Sequence, residues 1–403
     1  MKAMVRANSL LYAIYICLIV AIICAAMLFM AGLYTQLNQY YVSHQNLYVH
    51  NESLVNFAVS HMDDKYATPD EDDTGILSSF EVKQYGVIPL VVAKSIMGND
   101  TVASMHFVGC TSRDNTALYV PNYGAGISYS GNVKLLGNSY LPTSYVASVY
   151  LSDVPNSFYC SGKGFISKGM LPEPADNVVS GAMGIYGTAE ILGSVEKEGK
   201  IINSFLKPPL VLNDINRVGN LDIKGNTIIK SSDSIVVSAM AKLEDVILMA
   251  PKIIFEDNFE GSVQAFATLG IEVGKNVRLK YPSVLYASNH SVSEKCKITI
   301  NEGSSIYGLI IMYGNEYQRV DNNNVYVEAN VGAFCDIYST GNTSLRSNVA
   351  GSVYTNRISY RTATSLNNNC VVNIDLGPEK RPGFFYSVPL FKANAYGVIK
   401  KLI

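Results

Sequence analysis

Residues 70–81 carry oxygen ligands at the spacing of the calcium-binding loop of an EF-hand. The match covers the first, third, fifth, sixth, ninth and twelfth loop positions, and Gly75 would allow the sharp turn of such a loop. The ligands would be Asp70, Asp72, Thr74, the Ile76 carbonyl and the bidentate carboxylate of Glu81. The sequence therefore predicts Ca²⁺ as the one candidate cofactor. The alternative is a solvated acidic turn that closes a helix, because Pro69 interrupts the entering helix and residues 80–87 have the pattern of a strand.

Other residue types that bind metals or act as nucleophiles are scattered along the chain. The five histidines are His44, His50, His61, His106 and His290. The sequence contains no Cys-x-x-Cys, His-Glu-x-x-His or Gly-x-Ser-x-Gly motif, and transition-metal sites and nucleophile elbows depend on such spacings. We therefore predict neither a transition-metal centre nor a serine hydrolase.

Carboxylates suggest polysaccharide cleavage by residue type alone. Glycosidases hold two carboxyl groups on either side of the scissile bond, and the candidates in the β-rich region are Asp214, Asp222, Glu244 and Asp245. The sequence assigns these residues no common register, so we predict a protein that is not an enzyme and has no catalytic residues. The formal net charge of -2, without a basic block, argues against nucleic acid as a partner.

The seven cysteines leave two interpretations open. Cys17 and Cys24 lie in the apolar N-terminal segment, and the other five are Cys110, Cys160, Cys296, Cys335 and Cys370. The first pair of these five would form a disulfide in an oxidising compartment, whereas the alternative is five buried free thiols that pack as small hydrophobic groups. The last three are spaced 39 and 35 residues apart, which predicts that they point into one interior stack.

An uncharged apolar segment occupies residues 9–33. A helix of this length crosses a hydrocarbon core of about 30 Å. Lys2 and Arg6 precede the segment and the next basic residue is Lys65, so the positive-inside bias predicts a cytoplasmic N-terminus. The alternative is a cleavable secretory signal, although its apolar stretch is usually shorter, at about 7 to 15 residues.

The helix is predicted to continue beyond the membrane. Residues 34–66 contain no Gly or Pro, and apolar residues recur at spacings of three, four and seven, the period of one helix face. These residues are Leu33, Leu37, Tyr40, Leu47, Leu54 and Phe57. We expect one helix from about Ser9 to about Asp63, roughly 80 Å long, with its upper part packed on the exported domain.

Residues 6–14, Arg-Ala-Asn-Ser-Leu-Leu-Tyr-Ala-Ile, resemble the start of type IV pilin-like proteins. Minor pilins and the tip pseudopilins of type II secretion have a basic residue and Gly before a Ser-Ala-Leu-Leu-like run. Ala13 stands where most pilins carry Glu, as is typical of the tip subclass. The resemblance covers the N-terminal helix alone and implies partners among pilin-like or envelope assembly subunits. A plain signal anchor is the alternative.

The remainder of the chain is predicted to be mainly β. Charged residues make up 16% of the sequence, and Gly and Tyr are abundant at 31 and 27 residues, a composition typical of strands joined by tight turns. Between residues 210 and 377, segments aligned on Gly274, Gly303, Gly332 and Gly351 repeat at steps of 29, 29 and 19 residues. Such repeats predict a right-handed parallel β-helix, or β-solenoid. The alternative is an irregular β-sandwich with antiparallel strands.

The predicted organisation has six parts. They are a cytoplasmic stub (1–8), a transmembrane helix (9–33), a helix extension (34–66), a β-rich domain with the acidic loop (67–165), a β-solenoid (166–377) and a C-terminal tail (378–403). The expected protein is a structural or assembly component anchored by a single pass in a bacterial inner membrane, with its body periplasmic or surface-exposed. The alternative is a carbohydrate-binding or carbohydrate-active surface protein on a β-helix.

Overall fold

A computed structural model of the chain describes most of its residues. The described ranges are 4–64, 67–69, 75–111, 115–184, 191–192, 199–289, 291–314, 320–362, 364–382, 385–393 and 395–403. By contact density the chain forms two compact units. The first comprises Met1–Glu81 and Val92–Ser104, and the second comprises Val82–Val91 and Met105–Ile403.

Strands make up most of the regular structure, as predicted. The helices are α1 Met4–Ser60 and α2 Asp176–Gly184, with short 3-10 helices at Val320–Asn322 and Pro378–Lys380. The strands are β1 Leu77–Tyr85, β2 Ile88–Met97, β3 Asp100–Cys110, β4 Thr116–Tyr119, β5 Ser128–Leu135, β6 Asn138–Leu141, β7 Ala147–Ser148, β8 Ser157–Cys160, β9 Gly164–Ile166, β10 Ile191–Leu192, β11 Gly199–Asn203, β12 Leu210–Leu212, β13 Arg217–Val218, β14 Leu221–Gly225, β15 Thr227–Lys230, β16 Ser234–Val237, β17 Lys242–Phe255, β18 Glu260–Val273, β19 Arg278–Asn289, β20 Cys296–Ile300, β21 Ser305–Gly314, β22 Asn323–Val327, β23 Gly332–Leu345, β24 Val353–Arg361, β25 Leu366–Asn368, β26 Cys370–Leu376 and β27 Tyr396–Lys401.

Helix α1 is a single helix of 57 residues, about 85 Å long. The part of it from Ser9 to Ser60 is long and apolar enough to span a membrane, and its most apolar window is wholly exposed. The predicted long helix is therefore confirmed, with its end at Ser60.

The packed face of α1 is shorter than its apolar pattern predicts. Leu33, Leu37 and Tyr40 remain about half exposed, whereas Leu47 and Leu54 are buried. Packing of this face therefore begins near residue 47.

Within the first unit, the buried Asn51 joins the helix to neighbouring strands. Its side-chain amide donates to the Ser95 hydroxyl at 3.4 Å and the Val102 carbonyl at 3.3 Å, and its oxygen accepts from the Ser104 hydroxyl at 2.6 Å. These bonds satisfy a buried polar group that would otherwise destabilise the helix face.

A small sheet has the strand order β1-β2-β3-β27, in which β27 pairs antiparallel with β3. The segment that the sequence assigned to a C-terminal tail thus ends in a paired strand. Within the described residues, the strands from β4 to β26 pair almost entirely in parallel, with one antiparallel exception between β24 and β25. The predicted boundary at residues 165 and 166 does not interrupt this pairing, because β4 continues from β24 and β5 continues from β26.

One column of inward residues follows the parallel pairing through eleven levels. Its members, in register order, are Ile201, Ile223, Leu243, Gly261, Leu279, Ile306, Ala333, Val349, Leu376, Leu135 and Cys160. At the spacing of paired strands this column extends about 50 Å. At Gly261, a Cβ atom would lie 2.7 Å from the ring of Phe259, so that ring fills the space of the missing side chain.

Left-handed backbone corners lie between successive levels. Asn258, Asn276, Gly303 and Asn330 all have positive φ, between 55° and 77°. Asn and Gly are the residues that adopt this conformation with least strain. Of the glycines that align the repeat in the sequence, Gly274, Gly303 and Gly332, only Gly303 occupies one of these four corners. Asn forms the other three.

The cysteines are free thiols, and they do not share one stack. Cys296 pairs in register with Asn323, Cys335 with Gly308, and Cys370 with Ser128. The prediction of a common column is thus wrong, because 39- and 35-residue spacings do not correspond to whole numbers of levels. The three thiols are buried, and burial raises the pKa of Cys296 and Cys335 to about 12.

We predict that Ile306→Asp lowers the free energy of unfolding by several kcal/mol, because it places an unpaired charge between Leu279 and Ala333. Ser305→Asp is the matched control, since Ser305 is half-buried and lies in register with Arg278. Thermal unfolding of the full chain in detergent measures both. Equal melting temperatures for the two variants would contradict the inward orientation of Ile306.

Candidate functional site

A second column of side chains lies on the opposite side of the same strands. Its members, in register order, are Met249, Phe266, Tyr286, Ile311, Tyr338, Tyr354, Tyr119, Tyr140 and Phe165. Neighbours such as Leu285 and Ile310 belong to the inner core, so alternation along each strand turns this column outward. We call it the outer aromatic column.

The outer aromatic column is covered along most of its length and emerges at one end. Tyr354 and Tyr119 are buried, Tyr140 is half-buried, and Phe165 is 41% exposed. Their rings stack with centroid distances of 6.0, 5.3 and 4.9 Å along the series from Tyr354 to Phe165. Stacking of this kind follows from the strand spacing of about 4.8 Å.

A groove of about 760 Å³ lies where the column emerges. Tyr119, Tyr140 and Phe165 line its floor, and residues 166–173 and 387–393 supply further lining. The Tyr119 hydroxyl donates to the Met170 carbonyl at 3.1 Å, which fixes the first of these segments. In the second segment, the Phe391 ring meets the Tyr354 ring at 72° and 4.8 Å. The volume lies within the range of small-ligand pockets, about 300 to 1,000 Å³.

A buried ion pair lies at the polar side of the groove. The Arg381 guanidinium contacts the Asp336 carboxylate at 3.0 and 3.2 Å, and it donates to the Ser387 hydroxyl at 2.7 Å and the Ala350 carbonyl at 2.7 Å. The Ser352 amide donates to Asp336 at 2.7 Å. Arg381 therefore connects Ser387 to two levels of the stack, at Asp336 and at Ala350.

The thiol in the groove is unsuited to nucleophilic chemistry. Burial raises the pKa of Cys110 to about 12, and the nearby Asp336 carboxylate adds to the rise. A reactive cysteine requires the thiolate and hence a lowered pKa. The groove therefore offers apolar surface and hydrogen-bonding groups for binding.

A separate charged cluster lies beside a cavity of about 580 Å³. The Lys400 ammonium contacts the Asp245 carboxylate at 2.6 Å and the Glu244 carboxylate at 3.2 Å, and Lys224 contacts Glu244 at 3.0 Å. Adjacent carboxylates reach the same ammonium because β17 has a register irregularity at residue 245, whose φ is 59°.

The two carboxylates of this cluster have pKa values shifted in opposite directions. Burial raises the pKa of Asp245, against the opposing effect of Lys400, whereas the hydrogen bond from Lys224 lowers the pKa of Glu244. Opposite shifts are typical of acid–base pairs. Here, however, Lys400 engages both carboxylates, and the Ser262 hydroxyl donates to Asp245 at 3.2 Å. The cluster therefore connects β27 to β17, and each of the two carboxylates contacts a lysine ammonium.

The structure brings together two of the four carboxylates named from the sequence. Glu244 and Asp245 share Lys400, and Asp222 lies on the same strand face as Lys224 and affects its pKa. Asp214 occupies a left-handed corner with φ of 58°. Lys400 completes the cluster, and nothing in the sequence links it to residues 155 positions earlier.

The predicted calcium loop is described only in part. Asp70, Asp72 and Thr74 lie outside the described residues, while Ile76 and Glu81 lie within them, the latter inside β1. Among the residues that the structure describes, no group of three or more His, Cys, Asp or Glu side chains could hold a metal ion. The Ca²⁺ site remains a prediction.

No protein-family model, curated protein or solved structure matches this chain. The resemblance of residues 6–14 to pilin-like proteins therefore remains a prediction. The groove and the charged cluster are therefore interpreted from their geometry in this structure.

Sequence reasoning missed the groove. Tyr119, Tyr140 and Phe165 are 21 and 25 residues apart, within the predicted repeat of about 20 to 30 residues, and this spacing is the only sign of their alignment in the sequence. Tyr354 joins them through a pairing between β24 and β4 that spans more than 230 residues of chain.

We predict that Lys400→Met lowers the free energy of unfolding by about 2 kcal/mol at neutral pH, because Asp245 loses its cation. Lys400 is partly exposed, so the effect is smaller than for a fully buried pair. The measurement is the melting temperature of the full chain, with the exposed Lys242→Met as control. A loss as large in the control would contradict a specific role for Lys400.

The effect of Lys400→Met is also expected to depend on pH. A carboxyl group whose pKa is raised on folding binds its proton more tightly when folded, so it destabilises the fold as pH rises between its unfolded and folded pKa values. Removing Lys400 raises the folded pKa of Asp245 further. The stability difference between variant and wild type should therefore shrink when pH is lowered from 7 to about 5. A difference that grows on acidification would contradict this account.

We predict that the full chain binds Ca²⁺ in isothermal titration calorimetry and that Glu81→Ala weakens binding at least about tenfold, since it removes the bidentate ligand. Asp153→Ala, at an exposed acidic residue elsewhere, is the control and should bind as the wild type does. Absence of binding heat in the wild-type chain would contradict the Ca²⁺ site and favour the alternative, a solvated acidic turn.

Proposed function

We propose that this chain is a structural or assembly protein of the bacterial envelope, anchored in the inner membrane by α1 with its N-terminus in the cytoplasm. The observation that carries the proposal is the apolar surface of α1, whose large side chains from Leu10 to Leu37 are all about half exposed or more. A continuous apolar surface of this length is unstable in water and matches a hydrocarbon core of about 30 Å.

We infer that the body is a right-handed parallel β-helix. The parallel register of β11 to β24 and the eleven-level inward column support this architecture. Strands joined by parallel crossovers are right-handed in nearly all known cases. Antiparallel pairing, which the sandwich alternative needs, is confined within this part of the described chain to β24 and β25.

An assembly role is favoured over catalysis by the state of the polar groups. Lys224 and Lys400 bind Glu244 and Asp245, and Arg381 binds Asp336. These pairs connect distant segments of the second unit and so support a rigid spacer or interaction module. A pilin-like role, in which α1 joins a filament, would agree with a helix packed only in its last part.

A carbohydrate-binding role is the second candidate. It is favoured by the groove, where the exposed face of Phe165 lies near the polar side chains Lys168, Glu173 and Lys392. Saccharides combine an apolar ring face with hydroxyl groups, and aromatic side chains beside polar groups provide both contacts.

We predict that Ile22→Arg opposes membrane insertion of the full chain by roughly 3 kcal/mol, because it places a charge near the centre of the apolar segment. Carbonate extraction of membranes should then release the variant. Val42→Arg, at an exposed helical position beyond that segment, is the matched control and should stay in the pellet.

The orientation is tested by protease added to spheroplasts that express the wild-type chain. Digestion of the body from about Leu54 onward is expected, while a cytoplasmic marker remains intact. Protection of the body with an accessible N-terminus would contradict the proposed topology.

A further inference from the structure

In the part of the chain that the structure describes, the stack of parallel strands ends at β7, β8 and β9 with no further level beyond them. Within the described part of the chain, β7 and β8 each pair only with β5, and β9 pairs only with β6. The opposite edges of these three strands therefore present backbone N–H and C=O groups that no strand among the described residues engages. Unpaired parallel edges readily accept another strand.

The interior of the stack is also open at this end. Phe158 and Cys160 point inward and pack on the core, but they are only half-buried. The residue one level below, Leu135, is buried, as is Leu376 below it. The inward side chains of the last level thus lack the contacts that a further level would supply. Terminal repeats of stacked folds normally carry a polar cap that makes such contacts unnecessary.

The end surface, residues 142–170, exposes large apolar side chains in place of a polar cap. Tyr150 is 90% exposed and Ile166 is 64% exposed. Tyr145, Tyr159 and Met170 are each more than half exposed. Concentrated exposure of Tyr, Met and aliphatic groups is typical of a protein interface.

The charge of the end surface favours a particular partner. Its charged residues are Asp153, Lys163 and Lys168. Because both signs of charge are present, two copies of this surface would repel each other only weakly. A two-fold interface brings the same patch of two subunits together, and only a surface complementary to itself can form it. An apolar, nearly neutral surface fulfils this condition, whereas it offers little to a strongly charged partner.

We propose that the end surface binds the end surface of a second copy of this chain. β9 has three residues with Phe165 at the centre, so an antiparallel pair of β9 strands about a two-fold axis would place the two Phe165 side chains opposite each other. This contact would close the open edge and cover the half-buried inward side chains of both copies. The inference rests on the proposed function in one respect, because anchoring in a membrane raises the effective concentration of the copies.

The test places the photocrosslinking residue p-benzoylphenylalanine at Tyr150 of the full chain and irradiates native membranes. The expected adduct has twice the mass of the 43.9 kDa chain. Adding Ile166→Asp or, separately, Tyr145→Asp should reduce the adduct at least about tenfold, because each places charge in the contact. Both residues are largely exposed in the single chain, so the thermal unfolding of each variant should match the wild type.

A matched probe at Met240 should give no dimer adduct, because Met240 is exposed but lies about eight strand levels away from the end surface. Adducts only of other masses, no adduct, or a dimer adduct unaffected by both substitutions would overturn the inference. Carbonate extraction of the same membranes separates this failure from that of the proposed function. If the chain stays in the pellet but gives no dimer adduct, the contact between end surfaces is contradicted while membrane anchoring is not.

Discussion

The structure depends on contact between inward side chains of successive parallel strands. Ile306, for example, lies in register between Leu279 of one adjacent level and Ala333 of the other, and neither residue is close to it in sequence. No single level can bury its apolar residues alone, so the stability of each level depends on the two beside it. Left-handed corners at residues such as Asn276 and Asn330 keep the levels in register.

The other features of the second unit follow from this arrangement. Because side chains alternate, each level that buries one residue inward presents another outward, and aligned outward residues form the outer aromatic column. Two segments that follow the stack in the sequence are fixed to it by ion pairs, one from Lys400 to Glu244 and Asp245 and the other from Arg381 to Asp336. At β9, the last level within the described residues, the free strand edge and the apolar side chains have no adjacent level to pack against.

Local features of the fold were predictable from the sequence, whereas long-range pairing was not. Helix α1 follows from residues 9–33 and the absence of Gly and Pro beyond them, since both signals are local. The Gly-based repeat located the parallel region but missed the corners formed by Asn, which adopts positive φ more readily than other non-glycine residues. The stacking of β4 and β5 on β24 and β26 joins residues about 240 positions apart, and no periodicity within one segment encodes such a pairing. The groove and the Lys400 cluster depend on that long-range closure, so only Glu244 and Asp245 could be named beforehand, by residue type.

Electron–electron spin distances within the second unit show whether its parallel strands form one continuous stack. Nitroxide labels at the exposed residues Arg278, Glu260 and Lys242 lie six, seven and eight levels from a label at Tyr159. With an excess of unlabelled chain to suppress distances between copies, we expect backbone separations of about 29, 34 and 38 Å, rising by one strand spacing per level. Three similar distances, or distances that do not increase in this order, would contradict the stack.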